Sequence, residues 1–328
     1  MRFLSHKLTK VLGSAFCVVV VSQVAAVAQS PAETDALAAI KLATNPTTKL
    51  AAAEDFIVKF PNSNARLSVA ETVAGEILKI KNGPVALELL DRARAVFTSE
   101  QEQQILKPVA LEAYAIGNRI DDAFALAGEM LTKNPDDISV LARMTLAGAE
   151  ETRKRNRKYA EISLQYGLQA IALIETGKKP ASLDDEKWAR QTGNIAGLYQ
   201  QTAILYLASG NTHEAKSRLA KAATLSPQDP SNFALLARIM NADYVSQMDA
   251  YEAMPEGQPK QDAQKTMEAL LDSMIETYAR AAGLATGRGE YQTLLQQVIP
   301  DLTTYYKYRH NQSIKGLQQL INRYRLRP

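Results

Sequence analysis

The chain has 328 residues and a single cysteine, Cys17. It carries 38 basic and 35 acidic residues, and Arg2, Lys7 and Lys10 account for the whole formal excess of +3. All three lie in the first 28 residues, so the remainder is neutral and has no net field for nucleic-acid binding.

Residues 1–28 read as an export signal. Arg2, Lys7 and Lys10 form a positive leader, Val11 to Val27 is apolar, and Ala26-Val27-Ala28 places small residues before a cleavage point at Gln29. Phe16 precedes Cys17 where a lipoprotein would need a small residue, so no lipid anchor is expected. The processed protein is expected to be periplasmic or secreted, with no transmembrane segment and no cysteine. Its length lets stacked helices bury enough apolar surface without disulfides. It keeps only His213 and His310, too few for a Cys/His metal cluster, and it has no D-x-D-x-D-G loop. No cofactor or metal is expected.

From Pro31 onward the punctuation predicts helix after helix, with no alternating run that calls for a strand. The first two span roughly 32–44 and 47–60, and a third about 65–80. Asn82-Gly83-Pro84 separates it from the next, with Gly83 suited to a left-handed cap and Pro84 to a first helical turn. Ser99 and Glu102 form a capping box for a helix ending near Gly117, with Pro108 inside it as a kink or a late start. A unit from Ile138 carries Leu141 and Met144, then Ala160, Leu164 and Gly167 on its second helix. A basic turn, Arg153 to Lys158, joins the two. Residues 175–195 form an insertion in which Ser182 and Asp185 cap a helix expected to run to Leu207, carrying Trp188. Phe233, Leu236, Ala237 and Met240 open a further pair, interrupted by a polar loop, Met254 to Pro259, within an insertion at 245–262. The last segment, 290–325, predicts a closing helix pair.

Two stretches share one spacing. Tyr206, Gly210, Ala215, Leu219, Ala222 and Pro227 recur as Tyr114, Ala123, Ala127, Met130 and Pro135, with Gly117 one place earlier than Gly210. Small residues at Ala203 and Ala215 would let two helix backbones approach closely, with Tyr206 and Leu219 filling the seam. This pattern resembles the tetratricopeptide repeat (TPR) of exported bacterial proteins, most clearly over 104–135 and 196–229. The resemblance implies an all-α fold, a right-handed superhelical solenoid of antiparallel helix pairs. It divides the chain into a signal peptide (1–28), degenerate repeats (29–103), repeats with two insertions (104–287) and capping helices (288–328).

In such a solenoid the first helix of each pair lines the concave face. The resemblance then puts Glu112, Arg143, Gln200, Gln201, Ile204, Arg238 and Asn241 on the groove that binds a protein or peptide partner. The family's carboxylate clamp of Lys and Asn is not reproduced, since Pro108 and Glu112, and Gly197 and Gln201, hold those places. No phosphate-binding loop, nucleophile elbow or H-E-x-x-H is present, so the expected function is a non-enzymatic interaction scaffold of the cell envelope. Asp136-Asp137 and Asp184-Asp185-Glu186 stand where helices begin and read as caps. The run Arg153–Lys158 reads as a solvated, locally paired turn, which leaves contact with an anionic surface, phospholipid headgroups or an acidic partner, open. Two other readings stay open. One is an enzyme or small-ligand binder that uses 175–195, around Trp188, as a lid. The other is a structural subunit docked through the basic C-terminus, rich in Tyr305, Tyr306, Tyr308 and Tyr324.

Overall fold

A computed structural model describes residues 30–180 and 183–326, and these residues form helices with no strand among them. The expected export signal, the cap at Ser182 and the last two residues of the basic C-terminus lie outside the described residues. The chain opens with α1 (Pro31–Leu42), α2 (Pro46–Lys59), α3 (Arg66–Ile77) and α4 (Gly83–Val96). Their starts follow from short polar side chains that accept orphan backbone N–H groups. Ser30 accepts from Glu33 N at 3.1 Å, Asn45 from Thr48 N at 2.9 Å, and Asn82 from Val85 N at 3.1 Å.

Gly83 corrects the expectation of a left-handed cap. It is the first residue of α4, it is buried, and a Cβ there would strike the Ile116 carbonyl. Its role is close approach, not turn geometry.

Next come α5 (Glu100–Ile116) and α6 (Ile120–Lys133). The capping box of Ser99 and Glu102 is present, and α5 continues through Pro108. The expected division between residues 103 and 104 therefore falls inside one helix. Glu102 is 1% exposed and takes Arg66 Nε at 2.8 Å, Arg66 Nη2 at 3.1 Å and Ser99 N at 2.9 Å. Burial raises its pKa, but the hydrogen bonds from Arg66 and Ser99 outweigh it and hold the carboxyl below its ordinary value.

The chain then forms α7 (Ile138–Arg153), α8 (Ala160–Glu175), α9 (Asp185–Gly193), α10 (Ile195–Ala208) and α11 (Thr212–Leu225). The helix expected to run unbroken to Leu207 is interrupted at Asn194, next to Gly193, two residues of low helix propensity. After α12 (Pro230–Glu252) comes α13 (Gln258–Ala285). The insertion at 245–262 is thus mostly extra helix, with only residues 253–257 as connection. A 3-10 turn at Gly289–Tyr291 leads to α14 (Gln292–Arg309) and α15 (Leu317–Asn322).

One turn recurs. At the end of α10, Asn211 N donates to Tyr206 O at 2.9 Å across Gly210, whose φ is 80°. At the end of α5, Arg119 N donates to Tyr114 O at 2.9 Å across Asn118, whose φ is 60°. Asn118 therefore does the work of Gly210, four residues beyond the tyrosine in each case, and Gly117 stays outside the left-handed region. This is the Schellman arrangement, and asparagine tolerates it better than other residues with a side chain. Arg155 and Gly177 close α7 and α8 the same way, with Asn156 N to Glu151 O at 2.9 Å and Lys178 N to Leu173 O at 3.2 Å.

The two matching units also pack alike. Ala203, Ala215, Leu219 and Ile239 form one buried cluster with Tyr206 at its edge. Leu111, Ala123, Ala127 and Ala147 form another with Tyr114 at its edge. Asp229 and Asp137 cap the helices that follow, accepting from Ser231 N at 2.9 Å and Ser139 N at 3.1 Å. Most consecutive helices pack on one another, and α3 meets α5, α5 meets α7, α7 meets α10 and α12 meets α14. The first helices of successive pairs thus lie side by side. Between α7, α8 and α10 the approach is close: a Cβ on Gly167 would lie 2.5 Å from Thr202 and 2.8 Å from Thr145.

Two outcomes follow for stability. Ala215→Leu should destabilise by about 1–3 kcal/mol through overpacking, while Gly128→Ala, where a Cβ meets open space, should stabilise by about 0.5–1 kcal/mol through helix propensity. Urea unfolding of both variants checks the pair. Removing Glu102 strands Arg66, so Glu102→Ala should cost about 3 kcal/mol at neutral pH. Because the folded pKa of Glu102 is depressed, its contribution is present above about pH 4.3, the unfolded value. It fades as pH falls through the folded pKa, so acid titration of stability should show the variant converging on the parent.

Candidate functional site

One concavity is built by helix faces that sequence spacing places together. α10 contributes Gln200, Ile204, Leu207 and Ala208, and α12 contributes Ser231, Ala234, Leu235 and Arg238. In both helices these positions recur every three or four residues, one face in each case. α14 adds Leu294 and Gln297, the last turn of α7 adds Thr152 and Arg153, and the connection after it adds Arg155 and Arg157. The result is a solvent-open cleft of about 670 Å³. Gln200 Nε2 donates to Asn232 Oδ1 at 2.8 Å and ties α10 to α12 at its base.

Charge in the cleft is one-sided. Its lining holds four arginines and no carboxylate. Arg153 Nη2 donates to the neutral amide of Gln201 at 2.8 Å, and Arg238 Nη2 donates to that of Gln297 at 2.6 Å. Arg153 has solvent-exposed surface, yet enough protein surrounds it that desolvation pulls its pKa below the ordinary arginine value, against the charge of Glu150. It remains a cation at neutral pH.

The basic turn therefore divides in two. Lys154 pairs with Glu151 at 2.8 Å and Lys158 with Asp121 at 2.8 Å, as a solvated turn should. Arg153, Arg155 and Arg157 line the cleft instead. Sequence reasoning treated the run as one unit and missed this split. The available signal was the run itself, but alternation along the turn becomes visible only once Arg155 takes its left-handed conformation.

Of the expected groove residues, Gln200, Ile204 and Arg238 line this cleft, and Gln201 sits at its edge as the partner of Arg153. The other three are engaged within the fold. Glu112 and Arg143 form an ion pair with each other, both largely buried, between α5 and α7. Asn241 accepts a hydrogen bond from the Tyr305 hydroxyl. Leu294 and Gln297, on a helix assigned to capping, were not foreseen.

Most of the remaining candidate groups have structural partners or lie exposed on the surface. Asp137 caps α7, Asp136 reaches Lys178 at 3.5 Å, and Asp185 pairs with Lys179 at 2.5 Å. His213 is exposed in the first turn of α11, and His310 is exposed beside Tyr306 on α14. Among the described residues, no cluster of His, Cys, Asp and Glu could hold a metal. Trp188 packs with Leu183 and Ile195 against α8 and α10, and none of the described residues in 175–195 lines the cleft. At the C-terminus, the Tyr306 hydroxyl donates to Lys315 O at 2.8 Å and that of Tyr324 to Glu276, while Tyr308 stays exposed. Among the described residues no helix is long and apolar enough to cross a membrane.

Comparison of the chain with protein-family models and with curated proteins finds no match.

Replacing Arg143 leaves Glu112 charged and largely buried. Arg143→Met should therefore destabilise by about 1–3 kcal/mol, whereas Arg238→Met at the cleft should stay within about 0.5 kcal/mol. Parallel urea titrations separate a structural arginine from a surface one.

Proposed function

We propose that this protein is an exported, non-enzymatic interaction scaffold of the TPR kind, a right-handed superhelical solenoid that holds a segment of an envelope protein in its cleft. The observation that carries this reading is the make-up of the cleft. It is lined by α10, α12 and α14, the first helices of three successive pairs, with the end of α7 beside them. Stacked helix pairs use that face for extended ligands. The matching turns after Tyr114 and Tyr206 support the repeat reading, and the export reading rests on the residue pattern of 1–28. Cations, amides and aliphatic side chains make up a lining suited to holding a chain segment.

A photo-activatable residue at position 208, inside the cleft, is compared with one at Glu71, exposed on α3. The expected result in envelope extract is a discrete adduct from position 208 that Arg238→Glu suppresses. Adducts of equal yield from position 71 would place binding elsewhere and overturn the reading.

A further inference from the structure

Four arginines line one recess whose lining holds no carboxylate. Arg153, Arg155, Arg157 and Arg238 form no ion pair among the described residues, and the lining supplies no acid. Nearby cations behave differently: Lys154 and Lys158, in the same turn, each have a carboxylate. Like charges in a recess repel one another, and the low-dielectric wall focuses their field toward whatever enters. Gln201 and Gln297 orient two of the forks without neutralising them. Such forks match carboxylates in two-point geometry.

Beneath the arginines the surface is aliphatic. Ile204, Leu207, Leu235 and Leu294 form a floor from three helices. Small inorganic anions would leave that floor wet, and a flat bilayer surface reaches the rim of a recess more readily than its floor. A chain segment that offers acids and apolar side chains together uses both.

We propose that the cleft takes an acidic, amphipathic peptide segment, with its Asp or Glu carboxylates on Arg153, Arg155, Arg157 and Arg238 and its apolar side chains on the Ile204–Leu235 floor. This rests on the cleft being the binding surface. Since the chain outside residues 1–28 has no net charge, the attraction is local to this face.

Selection of short random peptides displayed on phage against the purified protein tests it, with the double variant Arg153→Gln/Arg238→Gln as counter-selection. Both side chains are exposed, so the variant should keep the parent's helical circular-dichroism spectrum. Enriched peptides should combine several acids with Leu, Ile, Phe or Met. They should lose about tenfold or more in affinity on the variant, or when their acids become amides. Raised salt should weaken them further. Failure to enrich any peptide, enrichment without acidic bias, or equal retention by the variant each overturns the proposal. So does arginine-dependent sedimentation with phosphatidylglycerol vesicles when no peptide is enriched, which assigns the face to a membrane. Displacement of enriched peptides by inorganic phosphate alone at comparable concentration assigns the arginines to a small anion and overturns it as well. If position 208 cross-links a partner while the peptides show no acidic bias, the scaffold reading stands and only the ligand chemistry fails.

Discussion

Helix backbones in this protein approach closely only where a side chain is missing or minimal, and the rest of the architecture depends on that contact. Ala203 and Ala215 meet in the α10–α11 seam, Gly167 lies against Thr145 and Thr202, and Gly83 lies against the end of α5. Dense packing gains dispersion energy across every such seam, and a single added methyl group must displace something. Because most of the close contacts join helices near one another in the chain, the pairs stack in chain order. Their first helices come side by side.

The turns make that stacking regular. A left-handed residue four positions beyond Tyr114 and Tyr206 reverses the chain within a few residues, so the second helix of each unit has little choice but to fold back on the first. Asn118 and Gly210 reach one conformation by different routes, the first through a tolerant side chain and the second through having none. After α7 the same turn is made by Arg155, and the longer connection beyond it carries arginines to the rim of the cleft. A structural device at one helix end thereby sets the electrostatics of the candidate site.

Electrostatic partners sort the charged residues by role. Glu102 with Arg66, and Glu112 with Arg143, are partly buried pairs that bridge successive units and serve the fold. Lys154 and Lys158 are surface pairs of small consequence. The cleft arginines belong to neither group: Arg153 and Arg238 meet neutral amides, and none of the four has an ion-pair partner among the described residues.

Residue spacing alone determined the helical class, most of the helix starts and the equivalence of the units around Tyr114 and Tyr206, because caps, turns and small-residue seams are local events written within one or two helical turns. The repeat resemblance, not periodicity alone, put Gln200, Ile204 and Arg238 on a groove, and these three line the cleft. Tertiary structure decided what periodicity cannot see. Arg143 and Glu112 have the spacing of groove residues but find each other across two helices, Asn241 is taken by Tyr305 from α14, and Gly83 is needed for a contact with a helix beyond its own. Which polar side chains are left facing solvent depends on partners distant in sequence, and only packing brings those partners within hydrogen-bond reach.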